Sequence, residues 1–99
     1  MKISFSNSAF ADLESIIHYY SDESSPEVGK RLVSEIFEHV EVLLDHPEIG
    51  RVVPEFNENH IREIIHPPFR IVYLREETKV QIIRVWRSER LLNLPDDEI

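Results

Sequence analysis

The order of the hydrophobic patterns is what most constrains the fold of this chain. Two stretches in the first half carry apolar residues at helical spacing, and three β-rich runs joined by short turns follow in the second half. Strands joined by so few residues pair as antiparallel hairpins. A doubly wound sheet is therefore excluded. The pattern predicts an α+β fold, with an N-terminal antiparallel helical hairpin packed on one face of a small antiparallel β-sheet.

The two helical patterns each place their apolar residues on one side. A helix-capping Ser or Asn precedes the first pattern, and Pro26 suits the first turn of the second helix. The second helix is expected to end near His46, because Pro47 disfavours a helical residue before it. The predicted stripes are Phe10, Leu13, Ile16, Ile17 and Tyr20 in the first helix, and Leu32, Ile36, Val40, Leu43 and Leu44 in the second.

The strand-forming runs are rich in Val, Ile, Tyr and Phe. They cover residues 61–66, 69–75 and 80–86, and Tyr73 alternates with apolar neighbours in a way that predicts a core position. Residues 2–5 alternate polar and apolar and predict a short extra strand in the same sheet. Gly50 and Pro54 mark the connection after the helices as a loop.

Length and composition restrict the remaining possibilities. Ninety-nine residues predict a single domain over residues 1–99, with a flexible tail at 93–99. The absence of cysteine excludes disulfides and thiolate sites, and no apolar run approaches the ~20 residues of a membrane span. With no signal peptide evident, we expect a cytoplasmic protein. None of the five histidines pairs at a zinc-site helix spacing, so we expect no metal and no cofactor.

The charge is distributed unevenly along the chain. The net charge is −8; residues 1–50 hold 3 Lys/Arg against 10 Asp/Glu, and residues 60–90 hold 7 against 4. A strongly acidic protein is poorly suited to neutralising phosphates, which argues against direct nucleic-acid binding. The pattern predicts an acidic helical half and a mildly basic sheet half.

Several short segments, in a fixed order, resemble the ParE/RelE superfamily of toxins from bacterial type II toxin–antitoxin systems. The likeness covers roughly residues 5–92 and implies a helical hairpin on a twisted antiparallel sheet. The matching residues are Ala9, Leu13, Ile16 and Tyr20 in the first helix, Gly50-Arg51 and Pro54-Glu55 in the loop, Arg62-Glu63 and Phe69-Arg70-Ile71-Val72-Tyr73 in the central strands, and Val85-Trp86 with Arg90 at the last strand.

The superfamily contains two activities, and the resemblance is closer to ParE. RelE-like members cut messenger RNA on the ribosome, whereas ParE-like members block DNA gyrase. Arg70 matches an arginine that contacts the scissile phosphate in the RNases, but ParE-like proteins keep an arginine there too. Where RelE has lysines this chain has Ile61 and Glu63, and a carboxylate there repels phosphate. Trp86 and Arg87 stand where the RNases place proton-transfer groups, and neither suits that role.

The resemblance therefore implies a gyrase inhibitor of the plasmid-stabilising type that is not itself an enzyme. Two alternatives stay open. One is a RelE-like ribosome-dependent mRNA endonuclease, for which Arg70, Arg87 and Arg90 are the candidate catalytic residues. The other is a non-toxic homologue that only binds the antitoxin.

For the gyrase inhibitor we predict a target-binding cluster, because arginine and tryptophan are favoured interface anchors. The alternative is that Trp86 belongs to the core and the arginines line a solvated edge. Substituting Arg84 or Arg90 with alanine is expected to relieve growth arrest and leave folding intact. The predicted cluster comprises Arg84, Trp86, Arg87, Arg90 and Arg62.

The implied partner is a cognate antitoxin, which in this superfamily lays a helix across the helical hairpin and a strand along the sheet. The acidic helical half is expected to attract basic antitoxin residues. The sequence leaves open a homodimer or a toxin–antitoxin hetero-oligomer, and we expect no membrane partner.

Overall fold

The structure, a computed structural model, describes residues 1–88. The expected flexible tail at 93–99 and the candidate residue Arg90 lie outside the described residues. The elements are β1 (Lys2–Phe5), α1 (Asn7–Asp22), α2 (Pro26–Val40), α3 (Val42–Asp45), β2 (Arg51–Val52), β3 (Ile61–His66), β4 (Phe69–Arg75) and β5 (Lys79–Arg87).

The sheet has five strands in the order β1-β5-β4-β3-β2. Strands β2 to β5 pair antiparallel, as the short links between β3, β4 and β5 predict. The predicted α+β fold is confirmed, with two refinements. Strand β1 joins the sheet parallel to β5, because these strands are distant in sequence and no hairpin sets their relative direction. Residues 51–52, predicted to lie in a loop, form a short edge strand on β3.

Both main helices begin at serine. Ser6 is the N-cap of α1: its Oγ accepts a hydrogen bond from the Ala9 N–H at 3.0 Å and donates to the carbonyl of Ile83 at 3.1 Å. Ser25 precedes Pro26 at the start of α2 and makes no side-chain cap bond. The predicted continuous helix to His46 is interrupted at Glu41, whose N–H bonds to Glu38 and His39, so the turn tightens there. None of the helices within residues 1–88 combines the length and apolarity that a membrane crossing requires.

The core lies between the helical hairpin and one face of the sheet. Three predicted stripe residues, Phe10, Ile17 and Leu44, lie outside it, and Tyr20 packs against it. Phe10 is 50% exposed, and Leu44 is 42% exposed beyond the tightened turn. On α1 the neighbouring Ala9 faces the core instead, and Phe10 packs on Phe5 with ring centroids 5.5 Å apart. The buried cluster comprises Ala9, Leu13, Ile16, Leu32, Ile36, Val40, Leu43, Ile64, Phe69, Ile71, Tyr73, Val80, Ile82 and Val85.

A register shift in the last strand determines which side chains reach the surface. Tyr73 pairs with Ile82 and Val72 pairs with Arg84, so Ile83 is an extra residue on β5. Such a bulge reverses the alternation of faces along a strand. Val85 therefore enters the core like Ile82, while Arg84 and Trp86 project from the opposite face.

Candidate functional site

The structure brings three of the predicted target-binding residues together at the end of β5. The Arg84 guanidinium carbon lies 4.7 Å from the centre of the Trp86 ring. The Arg87 guanidinium carbon lies 5.9 Å from the ring centre of Tyr19 on α1 and 5.7 Å from that of Phe69 on β4. Trp86 is half-buried rather than enclosed in the core. We call Arg84, Trp86 and Arg87 the β5 cluster.

Asp12 of α1 fixes the orientation of this cluster. Its two carboxylate oxygens each accept a hydrogen bond of 2.9 Å from Arg84, and Oδ2 also accepts the Val85 N–H at 2.8 Å. The Asp12 side chain is 15% exposed and that of Arg84 is 39% exposed, so the pair is partly shielded from solvent. Sequence reasoning missed Asp12, because its partner is 72 residues away and an acid off the apolar stripe reads as a solvated side chain.

A groove separates the β5 cluster from the second half of α1. Its volume is about 200 Å³, and four of its lining side chains are aromatic. Polar groups stand at its rim, so it suits an apolar side chain carried by a polar partner. The lining residues are Asp12, Ser15, Ile16, Tyr19, Tyr20, Phe69, Val85, Trp86 and Arg87.

Arg70, the candidate catalytic arginine of the endonuclease alternative, is enclosed by carboxylates. Its side chain is 7% exposed, its Nε donates to Glu63 at 2.5 Å, and its two terminal nitrogens donate to Glu55 at 3.0 and 2.9 Å. The second Glu63 oxygen accepts from Arg51 at 2.5 Å. These residues, which we call the buried ion network, lie on the sheet face opposite the helices.

The pairing shifts the acidity of the network. The hydrogen bond from Arg70 lowers the pKa of Glu55. Burial by itself would lower the pKa of Arg70, but its bonds to Glu55 and Glu63 raise it overall. From the sequence we expected the Glu63 carboxylate to face a phosphate. Glu63 is instead 1% exposed and neutralises Arg70. An arginine held in this way is poorly placed to stabilise a scissile phosphate.

Arg62, the remaining predicted target-binding residue, does not join the β5 cluster. It lies on β3, which β4 separates from β5 in the sheet. Its guanidinium donates to the carbonyls of Asn59 at 3.0 Å and Gly50 at 2.9 Å. Arg62 therefore holds the loop before β3.

The loop between α3 and β2 is also held by Tyr73, which is fully buried as its alternation predicts. Its hydroxyl accepts from the Gly50 N–H at 3.0 Å and donates to the Pro47 carbonyl at 2.8 Å. Burial raises the pKa of this phenol, which therefore stays protonated and able to donate. Arg62 and Tyr73 together make the loop between α3 and β2 part of the rigid scaffold.

The described residues offer no dense metal-ligand set. Within residues 1–88, no group of three or more His, Asp or Glu side chains is arranged to hold a metal ion. Two histidines do meet, His39 and His66, with Nδ1 atoms 2.9 Å apart.

Comparisons with known proteins agree with the fold. No curated protein shows a significant sequence match. Among solved structures, a chain of the chromosomal ParDE toxin–antitoxin system of P. aeruginosa is similar at a TM-score of 0.74 and 26% identity, covering 88% of this chain and 95% of that one. A conserved hypothetical protein from Helicobacter pylori, at a TM-score of 0.46 and 18% identity, covers 90% of this chain and 96% of that one and carries no weight for function. The family model for the ParE toxin of the type II toxin–antitoxin system parDE matches residues 3–92. The chain therefore belongs to the ParE toxin family.

Proposed function

We propose that this ParE-family toxin acts by binding and inhibiting DNA gyrase, that a cognate antitoxin neutralises it, and that the pair serves plasmid stabilisation. The observation that carries the proposal is the β5 cluster beside its aromatic groove. A tryptophan flanked by arginines, next to a concave apolar surface, is the composition typical of interface hot spots.

The buried ion network favours binding over RNA cleavage. A ribonuclease needs a cation available to the phosphate in the transition state. The Arg70 charge is instead matched by Glu55 and Glu63 in a site from which solvent is largely excluded. The endonuclease alternative would have to break these bonds before Arg70 could reach a substrate.

The cognate antitoxin is proposed to dock on the helical hairpin. Phe5 contacts Phe10 and Phe37, with centroids 5.5 and 5.1 Å apart, and Phe10 and Phe37 are 50% and 40% exposed. An exposed aromatic cluster on an acidic half of the molecule suits an amphipathic helix with basic flanks. We call Phe5, Phe10 and Phe37 the phenylalanine patch.

The gyrase proposal is tested by measuring binding of the purified toxin to purified gyrase. We expect Trp86→Ala and Arg87→Ala to weaken binding at least tenfold, since hot-spot truncations cost about 2 kcal/mol or more. Arg31→Ala, at an exposed helical arginine, is the control and should bind normally. Arg62→Ala should also bind normally if the β5 cluster is the contact. Arg84→Ala is a less clean variant, because it would also remove two of the three hydrogen bonds that the Asp12 carboxylate accepts.

Equal binding by all of these variants would remove the β5 cluster from the account. Absence of any gyrase binding by the unaltered toxin would instead reject the proposed target.

The antitoxin proposal is tested with Phe10→Ser and Phe37→Ser. Both variants should weaken antitoxin binding and leave gyrase binding unchanged. Ile65→Ser is the control, because Ile65 is exposed to a similar degree, 44%, on the sheet face away from the helices. If Ile65→Ser alone weakened the complex, the antitoxin would occupy the sheet face instead.

A further inference from the structure

Two histidines that are 27 positions apart meet where α2 packs over the end of β3. The Nδ1 atoms of His39 and His66 are 2.9 Å apart and the ring centroids 5.0 Å apart. His66 is the last residue of β3, on the same face as Ile64, and its side chain is 19% exposed. The pair therefore connects the helical layer to the sheet through a hydrogen bond rather than through apolar packing.

The number of protons on the pair decides whether this connection exists. A hydrogen bond between two imidazole nitrogens needs one protonated nitrogen and one with a free lone pair. The neutral pair satisfies this requirement, and so does the pair carrying one extra proton. With two extra protons both Nδ1 atoms carry hydrogen, the bond is lost, and two like charges face each other.

Burial and the charged groups around the pair act on His39. From α2, the Glu35 carboxylate lies 3.5 Å from Nε2 of His66, and Arg31 lies 3.7 Å from Glu35. Over residues 1–88, Glu35 is the one carboxylate in ion-pair range of either ring. Burial, and after it the charge on His66, lower the pKa of His39. His39 therefore resists protonation, and as a neutral ring it can accept the Nδ1–H of a protonated His66.

We propose that the His39–His66 pair is a proton-sensitive clasp between α2 and β3, closed while one ring is neutral and opened by the second proton. The unfolded chain has no such restriction, and its His39 titrates near the ordinary value of 6.5. Below that pH the unfolded state binds more protons than the folded state. The stability that the clasp contributes is thus complete above about pH 6.5 and is lost as the pH falls toward the lowered pKa of His39.

The first test compares the pH dependence of urea unfolding in three full-length proteins. His39→Gln removes the titrating group but can still hydrogen-bond to His66, and His60→Gln is the control because the His60 side chain is 59% exposed. From about pH 8 to about pH 5, one linked proton raises the unfolding constant by up to about tenfold per pH unit. We expect this steep component in the unaltered protein and in His60→Gln, and a flatter profile in His39→Gln. Identical profiles for all three would overturn the clasp.

The second test needs no variant and follows the imidazole protons of the unaltered protein by NMR. Coupled rings titrate in two steps that belong to the pair. We expect the ring-to-ring nuclear Overhauser contact between His39 and His66 to survive the first step and disappear in the second. Independent protonation of both rings at the same pH as His60 would contradict the proposal.

Discussion

At the scale of single residues, the most unusual feature is the buried ion network on the sheet face away from the helices. Glu63 is 1% exposed and serves two arginines, and Arg70 serves two glutamates. Buried ion pairs are costly to desolvate and are strongly destabilising when one partner is removed. The network therefore gives Arg70 a structural role in this chain.

One consequence is an acid-sensitive contribution to stability from Glu55. Its pKa is lowered from 4.5 by the Arg70 hydrogen bond, so between the two values the unfolded chain binds more protons than the folded one. The contribution is present above about pH 4.5 and is lost as the pH falls through the lowered pKa. Glu55→Gln should be less stable than the unaltered protein at about pH 7 and should lose less stability on acidification to about pH 3.

Urea midpoints at the two pH values measure this effect. Glu58→Gln is the matched control, because the Glu58 side chain is 59% exposed. An equal acid loss in Glu55→Gln and the unaltered protein would show that Arg70 does not stabilise the Glu55 carboxylate.

At the scale of secondary-structure elements, short polar and glycine contacts set how the layers meet. Ser6 bonds the start of α1 to Ile83, and Asp12 bonds the middle of α1 to Val85, so α1 is attached to β5 at the bulge and just beyond it. Gly50 packs closely against the backbone of β3. A Cβ at that position would be 2.5 Å from the Glu63 carbonyl and 2.6 Å from the Tyr73 hydroxyl.

Gly50→Ala should therefore destabilise the protein by about 2–3 kcal/mol, because neither the β3 backbone nor the bonded hydroxyl can move freely. Gly29→Ala is a useful comparison at the crossing of α1 and α2. There a Cβ would be 3.2 Å from the Tyr20 Cβ, and alanine gains about 1 kcal/mol of helix propensity over glycine. Chemical denaturation should give Gly50→Ala a much lower free energy of unfolding than Gly29→Ala. The reverse order would show that the loop accommodates an added Cβ more easily than the helix crossing does.

The elements themselves were predictable because their signals are local. The apolar spacing around Leu13 and Ile36 gave the helices, and the β-branched runs gave β3 and β4 with their observed bounds. The contacts that build the site were not predictable, since they join residues far apart in sequence. Asp12 meets Arg84 across 72 positions, and no local pattern marks Ile83 as the bulge residue that turns Trp86 outward. The exposure of Phe10 follows from the place where α1 touches the sheet, which spacing alone does not fix.

At the scale of the whole molecule, the fold separates two surfaces. The phenylalanine patch belongs to the half with 3 Lys/Arg and 10 Asp/Glu over residues 1–50, and the β5 cluster to the half with 7 against 4 over residues 60–90. Exposed charges interact over about 8–10 Å at physiological ionic strength. A basic antitoxin should therefore associate more slowly as salt is added, and so should an acidic target surface at the β5 cluster, because salt screens either attraction. Stopped-flow association rates at two salt concentrations measure both effects, and rates that do not change with salt would contradict the role of charge.

The most direct test of the central claim is DNA supercoiling by purified gyrase with the antitoxin-free toxin. We expect supercoiling to fall as toxin is added, with a smaller effect for Trp86→Ala and the full effect for Arg31→Ala. Full supercoiling at a large excess of folded toxin would contradict gyrase inhibition. Messenger RNA cleavage on the ribosome would then be the activity to measure, and a chain that only binds its antitoxin would remain if that too were absent.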